Sequence, residues 1–122
     1  QKTAYEISLG LVGSEMCIRD RINENVVEVA SLIEDANQGI IPNIETKTKY
    51  RLVLAHSAKL CVESMNELFP LMGGRGLSVG NPVQRAWRDV HSVAQHIGLI
   101  WDIQASNFGL VKLGLACTDP LQ

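Results

Sequence analysis

Residues 81–102 concentrate the side chains able to do chemistry. Arg85, Asp89, Ser92 and His96 follow one another at steps of four, three and four. Gln84, Arg88, His91 and Gln95 form a second polar row beside them. At about 100° per residue the first row falls opposite Val83, Trp87, Val90, Ala94 and Ile97, and the second lies beside the first. A merely solvated helix face is more often Glu and Lys. Imidazole, guanidinium, carboxylate, hydroxyl and amide groups suit the gripping of a ligand or of a neighbouring subunit. Imidazole also titrates near neutral pH, which fits it for moving protons.

The element that carries these residues has a clear start. Asn81 can cap a helix, because its side-chain oxygen accepts from an orphan N–H. Pro82 then falls at the first helical position, where a missing N–H costs nothing. The spacing predicts a helix from there through 97, with Gly98 as an interruption or bend. Before it, residues 71–80 hold four glycines, Gly73, Gly74, Gly76 and Gly80, and read as a loop or broken helical turn.

Upstream, Ile22, Val26, Val29, Ile33 and Ala36 repeat at helical spacing and predict one buried face. Gly39 is placed to cap that helix, and Pro42 blocks its continuation. A second helix is expected over about 45–69, with Tyr50, Leu54, Ala58, Cys61, Met65 and Leu68 on one face. Its His56 lies off that stripe, and Pro70 closes it. A fourth helical segment carries Trp101, Phe108 and Val111 or Lys112 in register, and Pro120 ends the order. Four helices with short links, and no strand-period run after Ile22, predict an all-α antiparallel four-helix bundle over residues 22–116, with a tail at 117–122.

Residues 1–21 stand apart. Residues 8–13 lack helical or strand period, and the segment at 8–21, SLGLVGSEMCIRDR, resembles a stray translated segment derived from sequencing adaptor. It is expected to be a non-native or disordered leader, and no function is assigned to it. The chain begins at Gln1 and is expected to be incomplete.

Composition narrows the function classes. The 122 residues suit one small domain, and 46% hydrophobic with 20% charged suits a packed unit. A net charge of −2 without a basic cluster argues against nucleic-acid binding. No apolar run approaches the roughly 20 residues of a membrane span. Cys17, Cys61 and Cys117 are odd in number and lack metal-like spacing, which points to a reducing cytoplasm and to no metal site.

The ordered set Gly73-Gly74, Asn81-Pro82, Gln84-Arg85, Trp87-Arg88-Asp89, His91 and His96 resembles the C-terminal helical domain of the acyl-CoA dehydrogenase superfamily. The resemblance covers residues 22–116. It is narrower to the branch of oxygenase components of two-component flavin-dependent monooxygenases. Many of the dehydrogenases carry a Glu base after the Arg-Asp helix; the matching position here is Ile97, which cannot act as a base.

The resemblance implies a C-terminal fragment of an enzyme that hydroxylates a small aromatic or related organic substrate with O2 and reduced flavin, FMN or FAD. It implies a separate flavin reductase as partner and like subunits in a homotetramer. It also implies an N-terminal helical domain and a middle β domain beyond this chain, which alone would be inactive. His96, with His91, would be catalytic, near flavin and substrate. A base beside a phenol, whose pKa is about 10, would favour the phenolate. Gly73, Gly74 and Arg85 would serve the flavin, Arg85 otherwise pairing with Asp89. Arg88 and Asp89 are expected in ion pairs fixing helices or subunits. His91 beside Trp87 also suits a packed structural histidine. An acyl-CoA dehydrogenase fragment and a non-catalytic helical interaction module are the alternatives.

Overall fold

In the computed structural model, residues 4–119 are described, with side chains from Cys17 onward. The order is α1 (Ala4–Asn37), α2 (Ile44–Leu68), a 3₁₀ link (Phe69–Leu77), α3 (Pro82–Val93), a 3₁₀ turn (Ile97–Leu99) and α4 (Trp101–Lys112). The all-α, four-helix expectation holds, and no strand occurs among the described residues.

Each boundary has a local cause. Asn43 caps α2, its side-chain oxygen accepting from the Thr46 N–H at 2.8 Å. Asn81 caps α3 by accepting from the Val83 N–H at 2.9 Å, with Pro82 at the first position. Gly39 and Gly114, at φ +75° and +73°, end α1 and α4 in the same way. The Ile40 and Leu115 N–H groups reach back five residues to Asp35 and Leu110, each at 2.9 Å, the pattern that a left-handed glycine permits. The end of α4 is therefore set at Gly114. Pro120 lies outside the described residues, as do 1–3, 121 and 122.

α1 starts earlier than expected, running from Ala4 through the leader without a break. No proline stands between residues 1 and 41, and glycine within a helix costs only about 1 kcal/mol each.

α2 is the central element. α1 lies antiparallel along it: Asn25 donates to the Ser57 hydroxyl at 2.7 Å, Ser31 meets the Tyr50 hydroxyl at 3.2 Å, and Glu28 pairs with Lys49. On another side of α2, α3 and α4 lie end to end, both antiparallel to it. Trp87 of α3 donates to Asn66, Trp101 at the start of α4 lies against His56, and Lys112 at its end pairs with Glu45. Arg51 pairs with Asp119, which brings the tail back onto α2.

Two expected faces are corrected by this arrangement. On α1, Val26 and Ile33 are 61% and 58% exposed. Half-buried Ile22, Asn25, Val29 and Leu32 face inward instead, a neighbouring phase of the same period. On α2, Leu54 is exposed while Thr48, Ala55 and Leu60 are buried. A helix covered on several sides buries residues around its circumference, so a single-stripe reading fails. The core sits between α2 and α4. Its most buried side chains include Gln104 and Asn107, beside Thr48, Ala55 and Leu60.

Candidate functional site

The first wall of the site is the 3₁₀ link. Gly73 interrupts it at φ +56°, ψ −155°, a conformation essentially restricted to glycine. Gly76 is buried, and a Cβ there would stand 2.9 Å from Met72 Cβ, so packing demands glycine. Nothing comparable constrains Gly74. It has an ordinary φ and no heavy atom within 4 Å of where a Cβ would stand. The exposed backbone at Gly73 and Gly74 is open to an approaching group.

The link is fixed to α3 through Asn81. Its amide nitrogen donates to the Arg75 carbonyl at 3.1 Å while its oxygen caps the helix. Arg85 lies one turn further on, exposed, with its Nε 3.5 Å from Asp89. The Gly73–Gly74 backbone and an exposed guanidinium are thus borne on two directly joined elements. Open glycine backbone beside an arginine fits a phosphate-bearing group.

His91 sits in an aromatic row. Its ring centroid is 4.2 Å from that of Trp87, and Trp87 is 5.4 Å from Phe69. His91 Nδ1 donates to the Trp87 carbonyl at 2.7 Å. The packed position expected beside Trp87 is the one found.

His96 is placed differently from the helical reading. α3 ends at Val93, and the next N–H groups bond three residues back, Gln95 to Ser92 and His96 to Val93. This tightening swings His96 out of the Arg85–Asp89–Ser92 row into extended backbone at φ −63°, ψ 131°. There it heads the 3₁₀ turn, exposed, its Nδ1 accepting from the Gly98 N–H at 3.2 Å. Gly98 therefore marks a break in the helix, not a bend within it.

The Arg85–Asp89 pair, one of the two readings of Arg85, is present. Arg85–Asp89 is an exposed i, i+4 pair of the kind that contributes about 0.3–0.5 kcal/mol. Arg88 has no ion pair among the described residues, so within this chain neither Arg88 nor Asp89 ties α3 to another helix.

Gln104 escaped the sequence reading, and Gln84 entered it only as part of an exposed polar row. Gln104, 1% exposed, donates through Nε2 to the Ile97 carbonyl at 3.1 Å and so holds the turn that carries His96. Its Oε1, and that of Gln84, are enclosed without a donor among the described residues. A glutamine inside a helix reads as surface, and only its apolar neighbours at helical spacing, Trp101 and Phe108, could have flagged Gln104. Among the described residues no group of three His, Cys, Asp or Glu is placed to hold a metal, and no helix is long and apolar enough to cross a membrane.

Known proteins resemble this chain. The chain is 41% identical over 59 residues to the FADH(2)-dependent resorcinol hydroxylase, oxygenase component, of Rhizobium sp. (strain MTP-10005), covering 48% of this chain and 14% of that protein. It is 28% identical over 74 residues to the p-hydroxyphenylacetate 3-hydroxylase, oxygenase component, of Acinetobacter baumannii, covering 61% and 18%. The fold matches the crystal structure of 3-HSA hydroxylase from Rhodococcus sp. RHA1 with a TM-score of 0.79 at 22% identity, over 93% of this chain and 29% of that one. The chain thus spans less than a third of the length of each. The acyl-CoA dehydrogenase C-terminal domain family matches residues 20–101, from within α1 to the first residue of α4. With α2, the glycine link and the capped Arg-Asp helix all inside that span, this chain belongs to the acyl-CoA dehydrogenase C-terminal domain family.

Proposed function

We propose that this chain is the C-terminal helical part of the oxygenase component of a two-component flavin-dependent monooxygenase, one that hydroxylates a small aromatic substrate. The observation that carries the reading is the pair of relatives, two oxygenase components of flavin hydroxylases, matched at 41% and 28% identity. Ile97, at the position where many of the dehydrogenases carry Glu, weighs the same way. It leaves this chain without a carboxylate for α-proton removal there.

In this reading the open backbone of Gly73 and Gly74, with Arg85, binds the phosphate-bearing part of a reduced flavin. The name of the resorcinol relative favours FAD over FMN. When bound, the flavin supplies the oxygen chemistry. The residues of this chain bind and orient it, and they place two imidazoles where substrate and flavin meet. His96, exposed at the head of its turn, is the residue that handles a proton at the ligand oxygen. His91, packed on Trp87, lies deeper and lines the site. A flavin reductase delivers the reduced cofactor. Like subunits in a homotetramer complete the pocket, and the enzyme works in the cytoplasm. Residues 22–116 form the native domain, and residues 1–21 are a non-native leader; long genomic reads that reproduce the leader behind a true start codon would refute that division.

A chimera tests the reading. Residues 22–116 replace the matching C-terminal segment of the resorcinol hydroxylase oxygenase component, and the products formed with reduced FAD and O2 are measured. Hydroxylated resorcinol is expected, with His96→Ala lowering turnover by roughly 10²-fold or more. A chimera that folds and binds flavin yet forms no hydroxylated product, or one that desaturates an acyl thioester, sinks it.

A further inference from the structure

Each histidine of the site has one ring nitrogen committed, and to opposite kinds of partner. His91 Nδ1 lies 2.7 Å from the Trp87 carbonyl oxygen. A carbonyl only accepts, so Nδ1 carries the proton, and in the neutral ring the lone pair is on Nε2. His96 Nδ1 lies 3.2 Å from the Gly98 backbone nitrogen, whose N–H only donates. That nitrogen is therefore bare, and the proton of the neutral ring is on Nε2.

The surroundings hold His96 in this state. A Cβ on Gly98 would stand 3.3 Å from His96 Nδ1 and 3.5 Å from Cε1, so a side chain there would press the ring a few tenths of an ångström off the amide. The Leu99 N–H donates to the His96 carbonyl at 2.7 Å, and buried Gln104 holds the Ile97 carbonyl. The turn is tied on both sides of the bond that sets the tautomer.

We propose that the fold fixes His91 and His96 in opposite neutral tautomers, so that His96 meets a ligand as an Nε2–H donor to an anionic or carbonyl oxygen while His91 presents Nε2 as an acceptor, Gly98 being the positioning residue for His96. The ligand part rests on the oxygenase reading above and alters it in one respect. A base acting through Nε2 would need its proton on Nδ1, where it would point at the Gly98 amide hydrogen. His96 therefore steadies an oxygen anion already formed and does not remove the proton that makes it. A phenolate oxygen and a flavin carbonyl oxygen share this acceptor chemistry.

Long-range 1H–15N correlation spectra of the 15N-labelled 122-residue chain, at a pH where both rings are neutral, report the tautomers directly. The expected result is a bare Nδ1 and protonated Nε2 on His96, the reverse on His91, and a mixed population on His96 in Gly98→Ala. Two rings in the same tautomer, or His96 protonated on Nδ1, overturn the proposal. Two variants in the chimeric oxygenase separate cap from donor. Asn at 96 keeps an acceptor for the Gly98 N–H and lacks the Nε2 donor; Gln reaches the Nε2 position and lacks the cap. His96→Asn should keep the melting temperature and lose roughly 10²–10³-fold in turnover. His96→Gln should melt lower and retain more turnover than Asn. Asn equal to or better than Gln overturns the donor role. A raised KM for resorcinol in His96→Asn with flavin binding unchanged places the oxygen on the substrate; weaker flavin binding with KM unchanged places it on the flavin. The spectra decide the tautomers whether or not the chimera hydroxylates, so failure here and failure of the oxygenase reading are told apart.

Discussion

At the scale of single residues, the glycine link separates what the chain needs from what a ligand needs. Gly73 has a backbone conformation that a side chain strains, whereas Gly74 has ordinary φ and open space around it. Gly73→Ala should therefore cost about 1–3 kcal/mol in thermal or urea unfolding. Gly74→Ala should stay within about 0.5 kcal/mol. Weakened flavin binding by Gly74→Ala in the chimera, with stability unchanged, would show that glycine at 74 serves the ligand. A Gly74→Ala loss of stability as large as that of Gly73→Ala would refute the distinction. Cys61 makes a second residue-scale case. Burial pushes its thiol above the ordinary value of 9.0. The folded thiol keeps its proton to higher pH than the unfolded one. Its contribution to stability is thus complete below pH 9.0 and is lost as pH rises through the folded value. Alkylation at pH 8 should label exposed Cys17 first and Cys61 only slowly, until urea unfolds the chain. Equal rates for the two thiols would contradict the burial of Cys61.

At the scale of elements, the caps decide where chemistry can be placed. Asn81 both starts α3 and ties it to the glycine link, so Asn81→Ala removes two bonds at one residue. A loss of about 1–2 kcal/mol is expected, visible as a lowered melting temperature by circular dichroism. Asn81→Asp keeps the capping oxygen and loses only the donor to Arg75, so it should fall between wild type and Ala. The start of α3 was legible in the sequence because Asn-Pro is a local signal whose cause lies within three residues. Gly39 was legible for the same reason. The end of α3 was not. Val90, Ala94 and Ile97 keep the helical period past the true break, and what stops the helix is tertiary, the turn at 97–99 held by Gln104. That miss moved His96 from a helix face to a turn, so the sequence named candidate residues by type without their geometry. The inward face of α1 was misread by one phase because Asn25, a polar residue, takes an interior place by bonding Ser57. A pattern of hydrophobic residues cannot report a polar contact that depends on a partner more than 30 residues away.

At the scale of the whole molecule, several large apolar side chains lie open on the described surface. Val26, Val27 and Ile33 form an outward patch on α1 at 61%, 71% and 58% exposure, and Ile41 beyond them is 85% exposed. α2 covers only one side of α1, and no other described helix lies on this outer face. Contiguous apolar surface of this kind favours association. The 122-residue chain should accordingly grow in apparent mass with concentration in analytical ultracentrifugation. Two substitutions on the patch, Val26→Lys and Ile33→Glu, should return it to a monomer. Both positions are well over half exposed and face away from α2, so the melting temperature of the monomer should change by no more than about 0.5 kcal/mol of stability allows. Association that survives both substitutions would move the contact elsewhere, to the Gly73–Gly74 link or the exposed polar row of α3. A double variant that no longer folds would instead show that α1 packs through the phase expected from its apolar period, with Val26 and Ile33 inside. The one experiment therefore weighs two placements of the same helix, and the exposed valines decide between them.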